Sequence, residues 1–221
     1  MKLLIVSDFH QNLHAVERAR RKATLEGVDV IVVCGDLTHF GTISTAEEIL
    51  KRFVGLEVVT LFVPGNCDPK DLSKHSVIGG AYCLHGRYKT VDDLSFVGVG
   101  GSTPVPFPTE FEIGEDELTA LLEEAYGEFN GDGRLVLVSH VPPKHTRLDL
   151  IHFGVYVGSV ALREFIERRR PLLVVCGHIH ERRGVDKIND TLIVNPGPAM
   201  WGLCALVEIG EEVRASLSLL E

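Results

Sequence analysis

The chain of 221 residues has few cysteines and no CxxC pair among them. Its five cysteines stand far apart, at positions 34, 67, 83, 176 and 204. An odd and scattered set indicates neither a disulfide framework nor a zinc ribbon. Cys34 and Cys176 each end an apolar run, so we interpret them as small buried hydrophobic residues.

The sequence also lacks a hydrophobic run long enough to cross a membrane. The longest apolar stretches, 28–34 and 172–176, are far shorter than the roughly 20 residues that a spanning helix needs. The apolar start at 1–6 resembles that of a signal peptide, but Asp8 and His10 end it before a hydrophobic region develops. We therefore expect a cytoplasmic protein that does not bind a membrane.

Positive charge is scarce, because 22 Lys and Arg residues face 31 Asp and Glu residues, for a net charge of −9. A protein that binds duplex nucleic acid usually presents a basic face, so a nucleic-acid partner is disfavoured. The run at 168–170 ends a predicted helix, where cations favour the helix dipole. The apolar content of 45% and the charged content of 24% are typical of a globular protein, and we expect residues 1–221 to form one domain.

Short apolar runs alternate with helical patterns along the chain, which is typical of an α/β fold with mixed sheets. The Pro-rich stretch 100–112 is predicted to be a surface loop. Ser44 is the expected N-cap of the second helix, with Glu47 completing a capping box. The predicted helices cover 13–26, 44–53, 115–129 and 158–169. The predicted strands cover 2–7, 29–34, 57–63, 94–99, 134–139, 172–176, 184–188, 191–195, 203–209 and 213–219, with a hairpin turn at 189–190.

Polar side chains follow five of these strands at the point where each strand ends. One such residue alone is usually a cap or a turn residue. The carboxyl ends of strands in an open α/β sheet share one edge, however, so the whole set is predicted to meet there. Carboxylate, amide and imidazole groups suit Mn, Fe, Co, Ni or Zn, and seven groups exceed the needs of one tetrahedral ion. Two ions that share a bridging carboxylate are therefore expected. The candidate ligands are Asp8, His10, Asp36, Asn66, His140, His178 and His180.

The same residues form ordered motifs that resemble the calcineurin-like metallophosphoesterases, in particular the Icc-type subgroup. The motifs D-x-H, G-D, G-N-x-[DE], a lone His after a strand and G-H-x-H occur in that order between residues 8 and 180. The resemblance implies a four-layer α-β-β-α sandwich with two mixed central sheets flanked by helices. It also implies that Asp36 bridges two ions, and it divides the other ligands into Asp8, His10 and His180 for the first ion and Asn66, His140 and His178 for the second.

The activity that this resemblance implies is metal-dependent hydrolysis of a small phosphodiester or phosphomonoester by a hydroxide activated between two divalent ions. Manganese is the favoured metal, with Fe, Ni, Co and Zn as alternatives. One competing hypothesis is a scaffold that keeps the fold and binds protein partners without turnover. A nuclease of the same superfamily is a third reading, disfavoured by the acidic composition. The alternating stretch 203–220 offers an edge strand for a homo-oligomer.

The sequence departs from the family pattern at Cys67, where many relatives carry a His thought to protonate the leaving group. A thiol is a weak hydrogen-bond donor, so Cys67 is a poor replacement. His39, three residues after Asp36, is the candidate catalytic acid, and His39 and Asn66 are the candidate substrate contacts. The competing interpretation of His39 is an exposed loop histidine without a catalytic role.

Overall fold

The computed structural model describes residues 1–129 and 134–221, whose strands form two mixed β-sheets. The first sheet has seven strands, β1 (Lys2–Val6), β2 (Val30–Cys34), β3 (Val59–Val63), β4 (Val77–Ile78), β5 (Ala81–Cys83), β12 (Leu203–Ile209) and β13 (Val213–Leu219). The second has six, β6 (Arg87–Val91), β7 (Leu94–Val99), β8 (Arg134–Ser139), β9 (Leu173–Val175), β10 (Gly184–Ile188) and β11 (Thr191–Asn195). The strand order is β13-β12-β1-β2-β3-β5-β4 in the first sheet and β10-β11-β9-β8-β7-β6 in the second.

Parallel strands occupy the middle of each sheet. The strands β1, β2 and β3 run parallel in the first sheet, and β7, β8 and β9 run parallel in the second. Hairpins form the outer strands, with β12 and β13 at one edge of the first sheet and β10 and β11 at one edge of the second. The parallel strands therefore all carry their carboxyl-terminal loops to one end of the molecule.

The two sheets pack face to face across an apolar layer. Ile5 and Val32 of the first sheet belong to the same buried cluster as Phe96 and Val138 of the second. Continuous buried runs such as β2, which is buried along its whole length, are expected for strands covered on both faces.

Helices cover the outer face of each sheet and complete four layers. The helices α1 (Leu13–Glu26) and α2 (Ile43–Lys51) pack on the first sheet, with Val16 and Ile49 in a second buried cluster. The helices α3 (Glu115–Glu128) and α4 (Val160–Arg169) pack on the second sheet through Leu122 and Phe165. The predicted α-β-β-α sandwich is confirmed. No helix in the described ranges is long and apolar enough to cross a membrane.

One detail of the sequence interpretation is wrong. The second helix begins at Ile43, and its N-cap is Thr42 rather than Ser44. Thr42 has extended backbone angles, and its side-chain oxygen accepts a hydrogen bond from the amide of Thr45 at 3.2 Å. Ser44 already lies inside the helix. The error arose because Thr42 and Ser44 are both good caps, and the sequence pattern alone does not choose between them.

Candidate metal centre

The loops after β1, β2, β3, β8 and β9 meet at one rim and join the two sheets there. The carbonyl oxygen of Cys34, at the end of β2, accepts hydrogen bonds from Ser7 Oγ at 3.0 Å and from His140 Nδ1 at 2.7 Å. The amide of Gly177 donates to the carbonyl oxygen of His140 at 2.9 Å. The loop after β3 joins them through the amide of Cys67, which donates to Asp36 Oδ1 at 2.8 Å. The five loops carry the candidate ligands Asp8, His10, Asp36, Asn66, His140, His178 and His180.

A first group of donor atoms surrounds the Nε2 atom of His10. It lies 3.4 Å from His180 Nε2 and 3.5 Å from Asp36 Oδ2, and His180 Nε2 lies 3.3 Å from Asp8 Oδ1. Ligands about 2.1 Å from a single ion lie roughly 3.0 to 3.4 Å from one another. The spacing of these four side chains is therefore compatible with one shared ion.

A second group lies on the other side of the Asp36 carboxylate. Asp36 Oδ1 is 3.6 Å from His140 Nε2, which in turn is 2.9 Å from Asn66 Oδ1. The His178 ring packs beside this group, with its centroid 5.0 Å from that of His140. Because the two oxygens of Asp36 face different groups, this carboxylate is positioned to bridge them.

The contact between His140 and Asn66 brings two acceptors together. A carbonyl oxygen only accepts, so His140 Nδ1 must carry the proton that bonds to Cys34. The Nε2 atom of the neutral ring then holds a lone pair, and it faces the side-chain oxygen of Asn66 at 2.9 Å. Two lone pairs at this distance repel each other unless both atoms bind one cation, the ring is protonated, or the amide is turned so that its NH₂ group faces the ring. The donor set of this group therefore fits a metal ion.

Four of the candidate ligands have strained backbones. Asp8, His10, Asp36 and His178 have φ angles of 57°, 44°, 50° and 68°. Residues with a Cβ rarely adopt this left-handed region, and each such residue costs on the order of 1 kcal/mol or more. Strain of this kind clusters at functional sites, where the conformation aims a side chain at its target.

Glycine is required at two points where loops approach the ligands closely. A Cβ atom at Gly65 would collide with the carboxylate and amide of Asp36, and one at Gly177 would collide with the hydroxyl of Ser7. The glycines of the G-N-x-[DE] and G-H-x-H motifs thus let the loops pack directly against the ligands of neighbouring strands.

Burial and the neighbouring imidazole groups together set the protonation of the site. Burial raises the pKa of Asp36 to about 7, whereas the pKa of Asp8 falls to about 2 because the hydrogen bond from His180 and neighbouring imidazoles outweigh burial. Burial lowers the pKa of His10 to about 4 and that of His178 to about 3. Both rings are therefore neutral at pH 7, the form that binds a metal.

Asp68 was absent from the predicted ligands, and the structure gives it a supporting position. Its buried carboxylate accepts hydrogen bonds from the amides of Leu37 at 3.1 Å, Thr38 at 2.7 Å and Gly65 at 2.8 Å. Asp68 thereby ties the loop that carries Asp36 to the loop that carries its own motif. Its place as the acidic end of G-N-x-[DE] was the signal in the sequence.

Asn195, which was not among the predicted site residues, supports the G-H-x-H loop. Its side-chain nitrogen donates to the carbonyl oxygens of Gly177 at 3.4 Å and Ile179 at 3.1 Å. It lies at the end of β11, and its buried amide fixes the turn on which His178 lies. No periodic pattern marks such a residue, because its partners are backbone atoms in a loop.

His39 and Cys67 have different environments. His39 is exposed, and its Nδ1 atom lies 3.4 Å from the Nδ1 atom of His10. Cys67 is buried, its amide donates to Asp36 Oδ1 at 2.8 Å, and its sulfur accepts from Asn66 Nδ2 at 3.6 Å. Burial raises the pKa of the Cys67 thiol well above its usual range, which makes it a poor proton donor.

A cavity of about 630 Å³ opens over this site. The residues that line it are His10, Gln11, Asp36, His39, Phe40, Asn66, Cys67, Phe107, Thr109, His178, His180 and Met200. Its base holds candidate ligands from both groups, so a molecule in the cavity has direct access to them.

Comparison with known proteins agrees with this fold and site. The sequence model of the family described as calcineurin-like phosphoesterase matches residues 1–182. An uncharacterized protein of Methanocaldococcus jannaschii is 36% identical over 206 residues, which cover 91% of this chain and 90% of that one. A probable cyclic nucleotide phosphodiesterase of Rhodopseudomonas palustris is 25% identical over 201 residues, covering 81% and 72% of the two chains.

Solved structures show the same fold at low sequence identity. The TT1561 protein of Thermus thermophilus has a TM-score of 0.77 at 18% identity, with 100% of this chain and 99% of that one covered. A dimetal phosphatase from Danio rerio has a TM-score of 0.65 at 12% identity, with 100% and 96% covered. The chain belongs to the calcineurin-like phosphoesterase family, whose members bind divalent metals and act on phosphate esters.

Proposed function

We propose that the protein is a phosphoesterase that uses two divalent metal ions to hydrolyse a small phosphodiester or phosphomonoester. Asp8, His10 and His180 would hold the first ion, and Asp36 would contribute to both sites. Asn66, His140 and His178 would complete the second site. The observation that carries the proposal is the distance of 2.9 Å between His140 Nε2 and Asn66 Oδ1, which is the spacing of two ligands on one ion.

Two bound ions would supply a water of lowered pKa and positive charge against the phosphoryl oxygens. The residues of the chain hold the ligand atoms and the ester in position. Because Asp68 and Asn195 fix the loops, the ligand atoms are held in place before the substrate arrives. Asn66 and His39 both line the cavity and are the proposed contacts to the ester. His39 is also the candidate proton donor to the leaving group.

The proposal also covers the metal, the cellular location and the class of substrate. Manganese suits a site of carboxylate, amide and imidazole ligands, and Fe, Co, Ni and Zn suit it also. A cytoplasmic location and a small-molecule substrate belong to the proposal, and the acidic composition disfavours a nucleic-acid substrate. The name of the relative from Rhodopseudomonas palustris supports a phosphodiester.

The test is hydrolysis of bis-p-nitrophenyl phosphate, p-nitrophenyl phosphate and DNA after chelation and resupply of each metal in turn. The proposal expects turnover that depends on metal and is lost in His140→Ala. His145→Ala is the matched control, because His145 is exposed on the following loop and packs against Tyr156 rather than the site. Bound metal without turnover of any ester would favour the scaffold, and turnover of DNA alone would favour the nuclease.

A further inference from the structure

The sides of the cavity over the candidate metal centre are apolar and aromatic. Phe40, Phe107 and Met200 line it together with the candidate ligands. Phe107 is 68% exposed and Phe40 is 49% exposed, so both rings meet solvent. Trp201, 60% exposed, adds a third ring next to the site, edge-on to His180 at 5.4 Å. Exposed apolar side chains grouped around one cavity indicate a binding surface.

Phe40 is held in place by the site itself. Its amide donates to the carbonyl oxygen of Cys67 at 3.0 Å, and its φ angle is 54°, in the strained left-handed region. Its ring packs edge-on against His39, with centroids 5.0 Å apart. A large exposed ring is thus fixed next to the G-N-x-[DE] loop by a hydrogen bond and a ring contact, in a backbone conformation that non-glycine residues rarely adopt.

The loop that carries Phe107 is anchored to the same motif. The amide of Phe111 donates to the carbonyl oxygen of Asn66 at 3.1 Å, and the amide of Gly101 donates to that of Pro64 at 2.9 Å. Both ends of the Pro-rich loop are thus bonded to the chain around a candidate metal ligand. The cavity is therefore built jointly from this loop and the site.

The cavity has no Lys or Arg among its described lining residues. Away from the candidate metal ligands, its polar side chains are Gln11, Thr109 and His39, the candidate proton donor. A second phosphate or a carboxylate on the substrate would find no Lys or Arg there, and a sugar hydroxyl would find few partners. A flat, uncharged group suits this surface better, because aromatic rings stack on one another.

We propose that the substrate's organic group is a flat, uncharged aromatic ring, which lies against Phe40 and Phe107 while its phosphate faces the metal centre. This inference rests on the proposed phosphoesterase function and deepens it by naming the substrate class. Phe40 and Phe107 are its specificity-determining residues, and they contact the organic part of the ester rather than the phosphate.

The test compares the binding of three phosphonates to the metal-loaded protein by calorimetry, at an alkaline pH at which all three are dianions. Phosphonates carry a P–C bond, so the protein does not hydrolyse them. We expect phenylphosphonate to bind at least about tenfold more tightly than methylphosphonate. Cyclohexylphosphonate, which is apolar but not flat, should bind with intermediate affinity.

Variants of Phe40 and Phe107 test whether these two rings cause the preference for phenylphosphonate. Phe40→Ala and Phe107→Ala should each reduce the ratio of phenyl to methyl affinity severalfold, and Phe107→Leu should restore only part of it. Tyr88→Ala is the matched control, because Tyr88 is an exposed ring on β6 that packs against Phe129 and does not line the cavity. The ratio of phenyl to methyl affinity in Tyr88→Ala should equal that of the wild type.

Two results would overturn the inference while leaving phosphoesterase function intact. These are ester turnover with equal binding of the phenyl and methyl compounds, and a phenyl preference that both Phe→Ala variants retain. Equal binding of the phenyl and cyclohexyl compounds would overturn the requirement for a flat ring. A phenyl preference that depends on Phe107, in a protein that hydrolyses no ester, would support the binding surface and overturn the proposed reaction. Failure of all three phosphonates to bind would overturn the inference, and the turnover assay would decide the proposed function separately.

Discussion

The carboxylate of Asp68 holds Thr38 by two hydrogen bonds, from the amide at 2.7 Å and from the hydroxyl at 2.9 Å. Its other oxygen accepts from the amides of Leu37 and Gly65. Four donors from two loops thus converge on one buried side chain. This arrangement fixes the loops that place Asp36 and Asn66.

Replacement of Asp68 by Asn should destabilise the protein. Either orientation of the amide turns its NH₂ group toward two donors, so the variant should lose about 1–3 kcal/mol of unfolding free energy. Urea unfolding of the metal-free protein measures the change. Asp190→Asn, an exposed change in the turn at 189–190, is the control and should be nearly neutral. An equal stability of the two variants would mean that Asp68 does not organise the loops.

The pH dependence of stability should report on His85. Its Nδ1 atom accepts a hydrogen bond from the amide of Gly100 at 2.9 Å, and burial, with the charges of Arg87 and Lys70, lowers its pKa to about 4. The unfolded chain binds this proton below pH 6.5, whereas the folded chain binds it only below about pH 4. The contribution of His85 to the free energy of unfolding is therefore complete above pH 6.5, and it is lost as the pH falls from 6.5 to 4.

The variant His85→Asn keeps an acceptor near Nδ1 but has no titrating proton. Between pH 7.5 and pH 5 it should lose about 1–2 kcal/mol less unfolding free energy than the wild type. His75→Asn, at an exposed histidine, should follow the wild-type profile. Parallel profiles for His85→Asn and the wild type would contradict the assignment.

Cys67→Ser should leave the hydrolysis rate within about threefold of the wild type, for good and poor leaving groups alike. The thiol is buried, is a weak donor and has a pKa raised well above its usual range, so it is not poised to release a proton. Steady-state kinetics with p-nitrophenyl and phenyl esters checks this. A hundredfold loss would identify Cys67 as the general acid.

His39 should matter most for esters with poor leaving groups. If it donates a proton, His39→Ala should lower kcat by about 10²-fold for a phenyl ester and by much less for a p-nitrophenyl ester. His14→Ala, at an exposed histidine of α1, is the control. An equal loss across leaving groups would instead mean that His39 acts through its contact of 3.4 Å with His10, as a positioning residue.

The sequence was sufficient to predict the framework. The apolar runs predicted where most strands lie in the sequence. The polar residues that follow these runs placed Asp8, Asp36 and His178 at strand ends. Family resemblance supplied the two-sheet sandwich, which periodicity alone would not have shown. The division of the ligands between two ions and the assignment of residues 1–221 to one domain stay predictions.

Other features depended on tertiary contacts that leave no local pattern. The position of Phe107 follows from a loop without periodicity, whose conformation is set by backbone bonds to the G-N-x-[DE] loop. The strained φ angle of Asp36 is likewise stabilised by neighbours, since isolated Asp residues prefer other regions. Asn195 bonds only to backbone atoms, so its role is visible only in three dimensions.

The most direct test is a count of metal ions per chain by elemental analysis of the wild type and of Asp36→Ala, both dialysed against Mn²⁺. The account predicts two ions in the wild type and close to none in the variant, with unchanged circular dichroism, because the bridging carboxylate serves both groups. Asp190→Asn should retain both ions. A wild type that binds no metal, or an Asp36→Ala variant that keeps both ions, would contradict the account.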